Sequence, residues 1–147
     1  MSEGTILLVE DNPSDVGLAR RALEKKCIMN PLVVAQDGQE ALDYLFGTGQ
    51  YVDRDLSELP SVILLDINLP KLDGLSVLRK IREDDRTKFV PVIMLTTSKE
   101  EQDLVTSYDL GANSYIRKPV DFTQFAEAVG QLGLYWLVLN QSATPKH

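Results

Sequence analysis

Five short apolar runs, each followed by a stretch with helical periodicity, constrain the fold of this chain more than any other feature. The runs are rich in β-branched residues and comprise Thr5–Val9, Leu32–Ala35, Ser61–Leu65, Val90–Leu95 and Asn113–Ile116. Near-continuous apolar runs of this length are typical of strands that are buried on both faces. Because a helical stretch follows each run, the strands are expected to be parallel with right-handed crossovers. The pattern therefore predicts an α/β fold with a doubly wound open sheet.

Helix boundary signals lie between the predicted strands. Asn12-Pro13 provides a cap residue followed by proline at the first helical position. Capping-box pairs open three further helices, at Asp37–Glu40, Ser98–Glu101 and Asp121–Gln124. Gly47 and Gly111 lie where a helix would end in a left-handed residue. These signals support an alternation of strands and helices along the chain.

A single domain accounts for the length and composition. The 147 residues are 44% hydrophobic and 25% charged, which is typical of a globular domain and not of a disordered chain. We expect this domain to span residues 1–140, with an insert-like polar loop at 48–60 and a flexible tail at 141–147. The apolar stretch Leu134–Leu139 is far shorter than the roughly 20 residues of a membrane span.

Charge and cysteine usage narrow the classes of partner. The chain has 15 Lys and Arg against 22 Asp and Glu, a net charge of −7, which disfavours binding to a nucleic-acid backbone. The lone Cys27 excludes an internal disulfide and suits a reducing compartment. The polar start at Met1–Gly4 does not resemble a signal peptide. We therefore predict a cytoplasmic protein with neither nucleic-acid nor membrane partners.

Polar side chains occupy the carboxyl ends of the predicted strands, which is where open α/β sheets bind ligands. They are Glu10-Asp11 after the first strand, Asp66 after the third, Thr96 after the fourth and Lys118 after the fifth. In the strand order 2-1-3-4-5 the first and third strands are neighbours, so Asp11 and Asp66 should come within metal-bridging distance. The fourth and fifth strands then place Thr96 and Lys118 beside Asp66.

Acidic residues this close repel one another unless a cation neutralises them. Mg²⁺ suits one or two carboxylates together with waters and a phosphoryl oxygen. The ion, Lys118 and the Thr96 hydroxyl would surround a phosphoryl group from three directions. The only histidine, His147, lies in the predicted tail, so nothing resembles a hydrolytic triad. The site is predicted to carry phosphate on a carboxylate.

Several separated motifs agree in order and spacing with one protein family. LLVEDNP, LLDINLPKLDG, MLTTS and YIRKP together make the chain resemble a response-regulator receiver domain over roughly residues 5 to 138. The resemblance implies a flavodoxin-like (βα)₅ fold with strand order 2-1-3-4-5. It also implies that the chain takes phosphate from a phosphohistidine of a sensor histidine kinase and switches protein contacts, here without an output domain.

The family's phosphate-binding residues carry over position by position. The resemblance implies that Asp66 is the phospho-acceptor and that Thr96 and Lys118 bind the phosphoryl oxygens. It implies as well that the Lys118–Pro119 peptide bond is cis.

The metal ligands and the conformational switch carry over in the same way. Asp11, Asp66 and the backbone carbonyl of Asn68 would hold Mg²⁺, and Glu10 would assist through water. Tyr115 would fill space that the Thr96 hydroxyl vacates on phosphorylation. The resemblance thus assigns a role to each polar strand end.

Two other functions fit the sequence less well than this switch. A phosphatase of the haloacid dehalogenase type needs a second aspartate two residues after its nucleophile, and this chain has Asn68 there. A docking module that never takes phosphate usually lacks the acceptor, a metal carboxylate or the lysine, yet Asp11, Asp66 and Lys118 are all present. We therefore expect that the chain is not an enzyme that acts on a separate substrate. It would catalyse only its own phosphorylation and slow dephosphorylation.

The predicted partners follow from two further features. The long loop at 48–60 and the extended last helix resemble single-domain regulators that partner bacterial phytochrome-type kinases. The segment Leu132–Leu139 is apolar almost all round, as in a well-buried terminal helix. The alternative is that Leu134, Tyr135 and Leu137 form an apolar patch that pairs with a second copy of the chain. We favour this alternative and predict a homodimer through this helix.

Overall fold

The structure is a computed structural model that describes residues 4–24 and 30–134. Five parallel strands form one sheet in the order β2-β1-β3-β4-β5. The strands are β1 (Ile6–Val9), β2 (Leu32–Ala35), β3 (Val62–Asp66), β4 (Val92–Thr96) and β5 (Ser114–Arg117). The predicted fold class and strand order are confirmed.

A helix follows each strand, as the capping signals indicated. The helices are α1 (Pro13–Glu24), α2 (Gly38–Phe46), α3 (Gly74–Glu83), α4 (Lys99–Tyr108) and α5 (Phe122–Gln131). Asp37, Ser98 and Asp121 each accept a hydrogen bond from the backbone N–H three residues on, so the three predicted caps form.

Two apolar layers bury the two faces of the sheet. Because successive side chains of a strand point to opposite faces, Leu7 and Leu8 of β1 enter different layers. Helices α2, α3 and α4 cover the face of Leu7, with Leu78 and Val105 in that layer. Helices α1 and α5 cover the other face, where Phe125 is fully buried. Burial on both faces explains why the strands are continuously apolar.

One helix end differs from the prediction. Gly47 does end α2 in a left-handed conformation, at φ 70°. Helix α4, however, ends in Asp109 at φ 49°, whose N–H donates to the Thr106 carbonyl. Gly111 also has positive φ, at 91°, but lies beyond this cap. The prediction for Gly111 as the helix end is wrong because aspartate also tolerates the left-handed region.

The polar loop at 48–60 is folded onto α2. It contains a short 3₁₀ turn at Gly49–Tyr51, and the Tyr51 hydroxyl donates to Glu40 Oε2 at 2.9 Å. The Arg54 guanidinium lies 4.0 Å from the centre of the Tyr44 ring and donates to the Tyr44 carbonyl. These contacts hold the loop on the side of the domain formed by α2.

Several predictions concern residues outside the described ranges. They are those for Cys27, for the tail at 141–147 and for Tyr135 and Leu137 in the dimer patch. Within residues 4–24 and 30–134, no helix has the length and apolar character that crossing a membrane requires.

Candidate functional site

Four strand ends meet at one edge of the sheet. Asp66 is the last residue of β3, and the parallel register places Glu10, which follows β1, directly beside it. Thr96 ends β4 and Lys118 follows β5, on the other side of Asp66. Glu10, Asp66 and Thr96 are each at most 1% exposed. The predicted convergence of polar strand ends is therefore present in the structure.

Lys118 is the centre of this cluster. Its ammonium donates to Asp66 Oδ2 at 3.0 Å, to Glu10 Oε1 at 3.2 Å and to Asp15 Oδ2 at 3.3 Å. An ammonium has three N–H donors, so these contacts use all of them. The Lys118–Pro119 peptide bond is cis, as the resemblance implied.

The carboxylates of Glu10, Asp11 and Asp66 form a possible set of metal ligands. Each offers one oxygen, and the three oxygens lie within 4.8 Å of one another. Glu10 and Asp66 are buried and Asp11 is exposed, so the set opens to solvent on one side. Carboxylate oxygens are the donors that hard divalent cations prefer. The donor set therefore fits a divalent metal ion.

The electrostatics of the cluster point the same way. Burial raises the pKa of Glu10 from 4.5 to about 7, and the charge of Asp66 adds to this. The Asn12 N–H and Lys118 oppose the shift only in part. Burial would lower the pKa of Lys118, but its hydrogen bond to Asp66 and the charges of Asp66 and Glu10 together raise it. The site holds more negative charge than Lys118 alone neutralises.

The Thr96 hydroxyl is buried and has no hydrogen-bond partner among the described residues. A buried polar group without a partner costs free energy, which a ligand accepting its hydrogen bond would recover. This is the property expected of a group that binds a phosphoryl oxygen.

Tyr115, the predicted switch partner of Thr96, has a different contact in this structure. Its ring is half-buried in β5, and its hydroxyl lies 3.1 Å from Thr106 Oγ1 on α4. The same Thr106 hydroxyl donates to the Gln102 carbonyl. The structure thus places Tyr115 against α4, and the switch with Thr96 stays a prediction.

Asn68 connects the acceptor loop to α4. Its backbone N–H donates to Asp66 Oδ1 at 3.2 Å, and its side-chain amide donates to Glu101 Oε2 at 2.8 Å. The other oxygen of Glu101 accepts from the Thr97 N–H at 2.7 Å. Glu101 therefore joins the loops that follow β3 and β4.

Asp15 and Glu101 are the two residues of this site that the sequence patterns did not identify. Asp15 lies in the first turn of α1, four residues after Asp11, and this spacing was the available signal. Glu101 was recognised only as the capping partner of Ser98. No sequence pattern indicates its contact with Asn68, which lies 33 positions away.

Comparison with known proteins relates this geometry to one family. Residues 6–130 match the model of the response regulator receiver domain. Response regulator Rcp1 of Synechocystis sp. is 38% identical over 132 residues, which are 90% of this chain and 88% of Rcp1.

Three solved structures are similar to the whole domain. The bacteriophytochrome response regulator AtBRR is 53% identical, with a TM-score of 0.86, and the match covers 90% of this chain and 94% of AtBRR. The Mn²⁺-bound form of Rcp1 is 36% identical, with a TM-score of 0.71 and 97% of both chains covered. The phosphorylated cyanobacterial phytochrome response regulator RcpA is 36% identical, with a TM-score of 0.71, covering 97% of this chain and 96% of RcpA.

Proposed function

The chain belongs to the response regulator receiver domain family, the phospho-acceptors of two-component systems, and we propose that its acceptor is Asp66. The donor in this proposal is a phosphohistidine of a sensor histidine kinase. The observation that carries the assignment is the 3.0 Å contact between Lys118 Nζ and Asp66 Oδ2 inside the acidic cluster.

The proposed reaction is a displacement at phosphorus. An oxygen of the Asp66 carboxylate forms a bond to phosphorus while the bond from phosphorus to the histidine nitrogen breaks. The electron pair of that bond stays on the nitrogen, so a ring protonated on its other nitrogen leaves as neutral imidazole. The product is an acyl phosphate on Asp66. Because the nucleophile is a carboxylate and not a hydroxyl, positioning and charge neutralisation supply the catalysis without a general base.

Lys118 and Thr96 have distinct parts in this step. Lys118 already contacts the attacking carboxylate and brings a positive charge to the developing phosphoryl oxygens. The Thr96 hydroxyl, which has no partner in the described ranges 4–24 and 30–134, can donate to one of those oxygens. The chain acts on its own carboxylate only, and slow hydrolysis of the acyl phosphate would return it to the resting state.

The divalent metal in this proposal is Mg²⁺, held by Asp11, Asp66 and the carbonyl of Asn68, with Glu10 assisting. When bound, the ion supplies positive charge that offsets the carboxylates and the phosphoryl group. The three carboxylate oxygens within 4.8 Å of one another support this assignment, as does the Mn²⁺-bound structure of Rcp1.

The partner assignments belong to the same proposal. The similarity to AtBRR and RcpA supports a sensor kinase of the phytochrome type. The apolar segment Leu132–Leu139 supports a homodimer. The lone Cys27 supports a cytoplasmic location, and the net charge of −7 disfavours binding to nucleic acid.

Intact mass spectrometry after incubation with acetyl phosphate and Mg²⁺ tests the proposal. The parent chain should gain one phosphoryl group, labile to hydroxylamine, and Asp66→Asn or a chelator should abolish the gain. Asp85→Asn removes a carboxylate that is 92% exposed and should leave the labelling unchanged. An unlabelled parent chain without turnover would favour the docking module, and rapid turnover of acetyl phosphate without accumulation of the labelled chain would favour the phosphatase.

A further inference from the structure

Asp15 contacts the catalytic lysine from a helix that carries none of the other site residues. It lies in the first turn of α1, and its Oδ2 is 3.3 Å from Lys118 Nζ. Lys118 also contacts Glu10 and Asp66, so its three donors are all occupied. A phosphoryl oxygen can pair with Lys118 only when one of these three contacts gives way.

The contact with Asp15 is the weakest of the three. At 3.3 Å it is the longest, and the Asp15 side chain is 27% exposed, against 1% for Glu10 and 2% for Asp66. A partly exposed carboxylate regains water when it leaves its partner, whereas a buried one does not. The amino end of α1 also favours a negative charge on Asp15, with or without Lys118. Release of Asp15 is therefore the least costly way to free a donor.

Charge acts in the same direction. Asp15 adds a fourth carboxylate to the site, beside Glu10, Asp11 and Asp66. A phosphoryl donor is itself an anion, so each additional negative charge at the site opposes its approach.

We propose that Asp15 is a positioning residue that competes with the phosphoryl group for Lys118 and so slows phosphorylation of Asp66. This inference rests on the proposed function of Asp66 as the acceptor. In the resting chain Asp15 holds one donor of Lys118. During transfer from acetyl phosphate, the Asp66 oxygen forms its bond to phosphorus, the bond from phosphorus to the acetate oxygen breaks, and acetate leaves with the electron pair. Lys118 then turns the donor freed by Asp15 to a phosphoryl oxygen.

The test compares second-order rate constants for labelling by acetyl phosphate at saturating Mg²⁺. Asp15→Asn removes the charge and Asp15→Ala removes the contact as well, and both should react roughly two- to fivefold faster than the parent, as loss of a partly exposed ion pair predicts. Asp15→Glu restores a carboxylate and should return the rate towards that of the parent. Glu24→Gln, on the same helix with the same change in net charge, should match the parent.

A double-mutant cycle and metal titration separate competition from a merely structural role. In a Lys118→Ala background, Asp15→Asn should accelerate labelling less than it does in the parent, through its charge alone, because the donor in dispute is gone. Calorimetry gives the Mg²⁺ concentration that saturates each variant, so that a change in Mg²⁺ affinity with the lost charge does not enter the labelling rates. Equal or slower labelling of both Asp15 variants beside a labelled parent would overturn the competition alone, as would an acceleration that is equally large without Lys118. A parent chain that takes no label would overturn the acceptor assignment and the competition together.

Discussion

The polar groups at the two edges of the same sheet differ in how fully they are hydrogen-bonded. At the amino edge, Arg82 donates to the carbonyls of Gly111, Lys88 and Val90 and to Asn113 Oδ1. At the carboxyl edge, carboxylates crowd around Lys118 and a buried hydroxyl has no partner among the described residues. Satisfied polar groups contribute to stability, whereas unsatisfied ones leave capacity for a ligand. The difference separates the structural edge of this domain from its chemical edge.

Replacing Lys118 should have the largest effect. Lys118→Met retains the apolar stem but leaves buried Glu10 and Asp66 without their counter-charge, which should lower the free energy of unfolding by about 3 kcal/mol in the absence of metal. Labelling by acetyl phosphate should fall roughly a hundredfold, because one electrostatic donor to the phosphoryl oxygens is lost. Urea denaturation and intact mass measure the two effects.

Adding Mg²⁺ tests whether the missing positive charge causes this loss of stability. Added Mg²⁺ should restore much of the lost stability of Lys118→Met, since it supplies the missing positive charge to the same carboxylates. If Lys118→Met were as stable as the parent without metal, the carboxylates at this edge would not destabilise the fold when their counter-charge is removed.

Replacing Arg82 should affect stability and not chemistry. Arg82→Met removes hydrogen bonds to the segments that precede β4 and β5 and should cost roughly 2–3 kcal/mol of unfolding free energy. The labelling rate of the folded variant should equal that of the parent, because Arg82 lies at the opposite edge from Asp66. Loss of labelling in a variant that circular dichroism shows to be folded would contradict the division between the edges.

Two fully buried threonines provide a matched pair. Thr87 at the amino edge donates to the Ile81 carbonyl at 2.7 Å, whereas the Thr96 hydroxyl has no partner in the described part of the chain. Thr87→Val should cost about 1–2 kcal/mol, because the carbonyl of Ile81 loses its hydrogen bond. Thr96→Val should cost nothing or stabilise slightly, yet slow labelling roughly tenfold. Chemical denaturation measures the stability of the two variants, and labelling kinetics measures their rates. Equal losses of stability would show that the two threonines do not differ in this way.

The sequence predicted the chemical edge better than the structural one. Strand ends in a parallel sheet meet at one edge, so Asp66 and Lys118 could be brought together from chain order alone. The contacts of Arg82 could not, because they join a helix end to turns whose positions depend on packing of the whole domain. The contact of Asp15 with Lys118 was missed because Asp15 lies on α1 and not at a strand end, so its position depends on how that helix packs.

The end of β2 tests how far the contrast between edges extends, and it should give the smallest effect. Asp37 lies at the carboxyl edge but outside the cluster, and it accepts from the Glu40 N–H at 2.8 Å and pairs with Lys71. The hydrogen bond from Glu40 lowers the pKa of Asp37 below its ordinary 3.8, and Lys71 adds to this. Its stabilising contribution is therefore complete above about pH 4 and is lost as the pH falls through the lowered pKa.

Asp37→Asn keeps the helix cap and should cost only about 0.5 kcal/mol at neutral pH, since water screens this partly exposed carboxylate. Urea denaturation at decreasing pH should show the difference from the parent vanish once Asp37 is protonated, with Asp85→Asn as the control. A difference that persists in acid would mean that the charge of Asp37 is not what stabilises the fold.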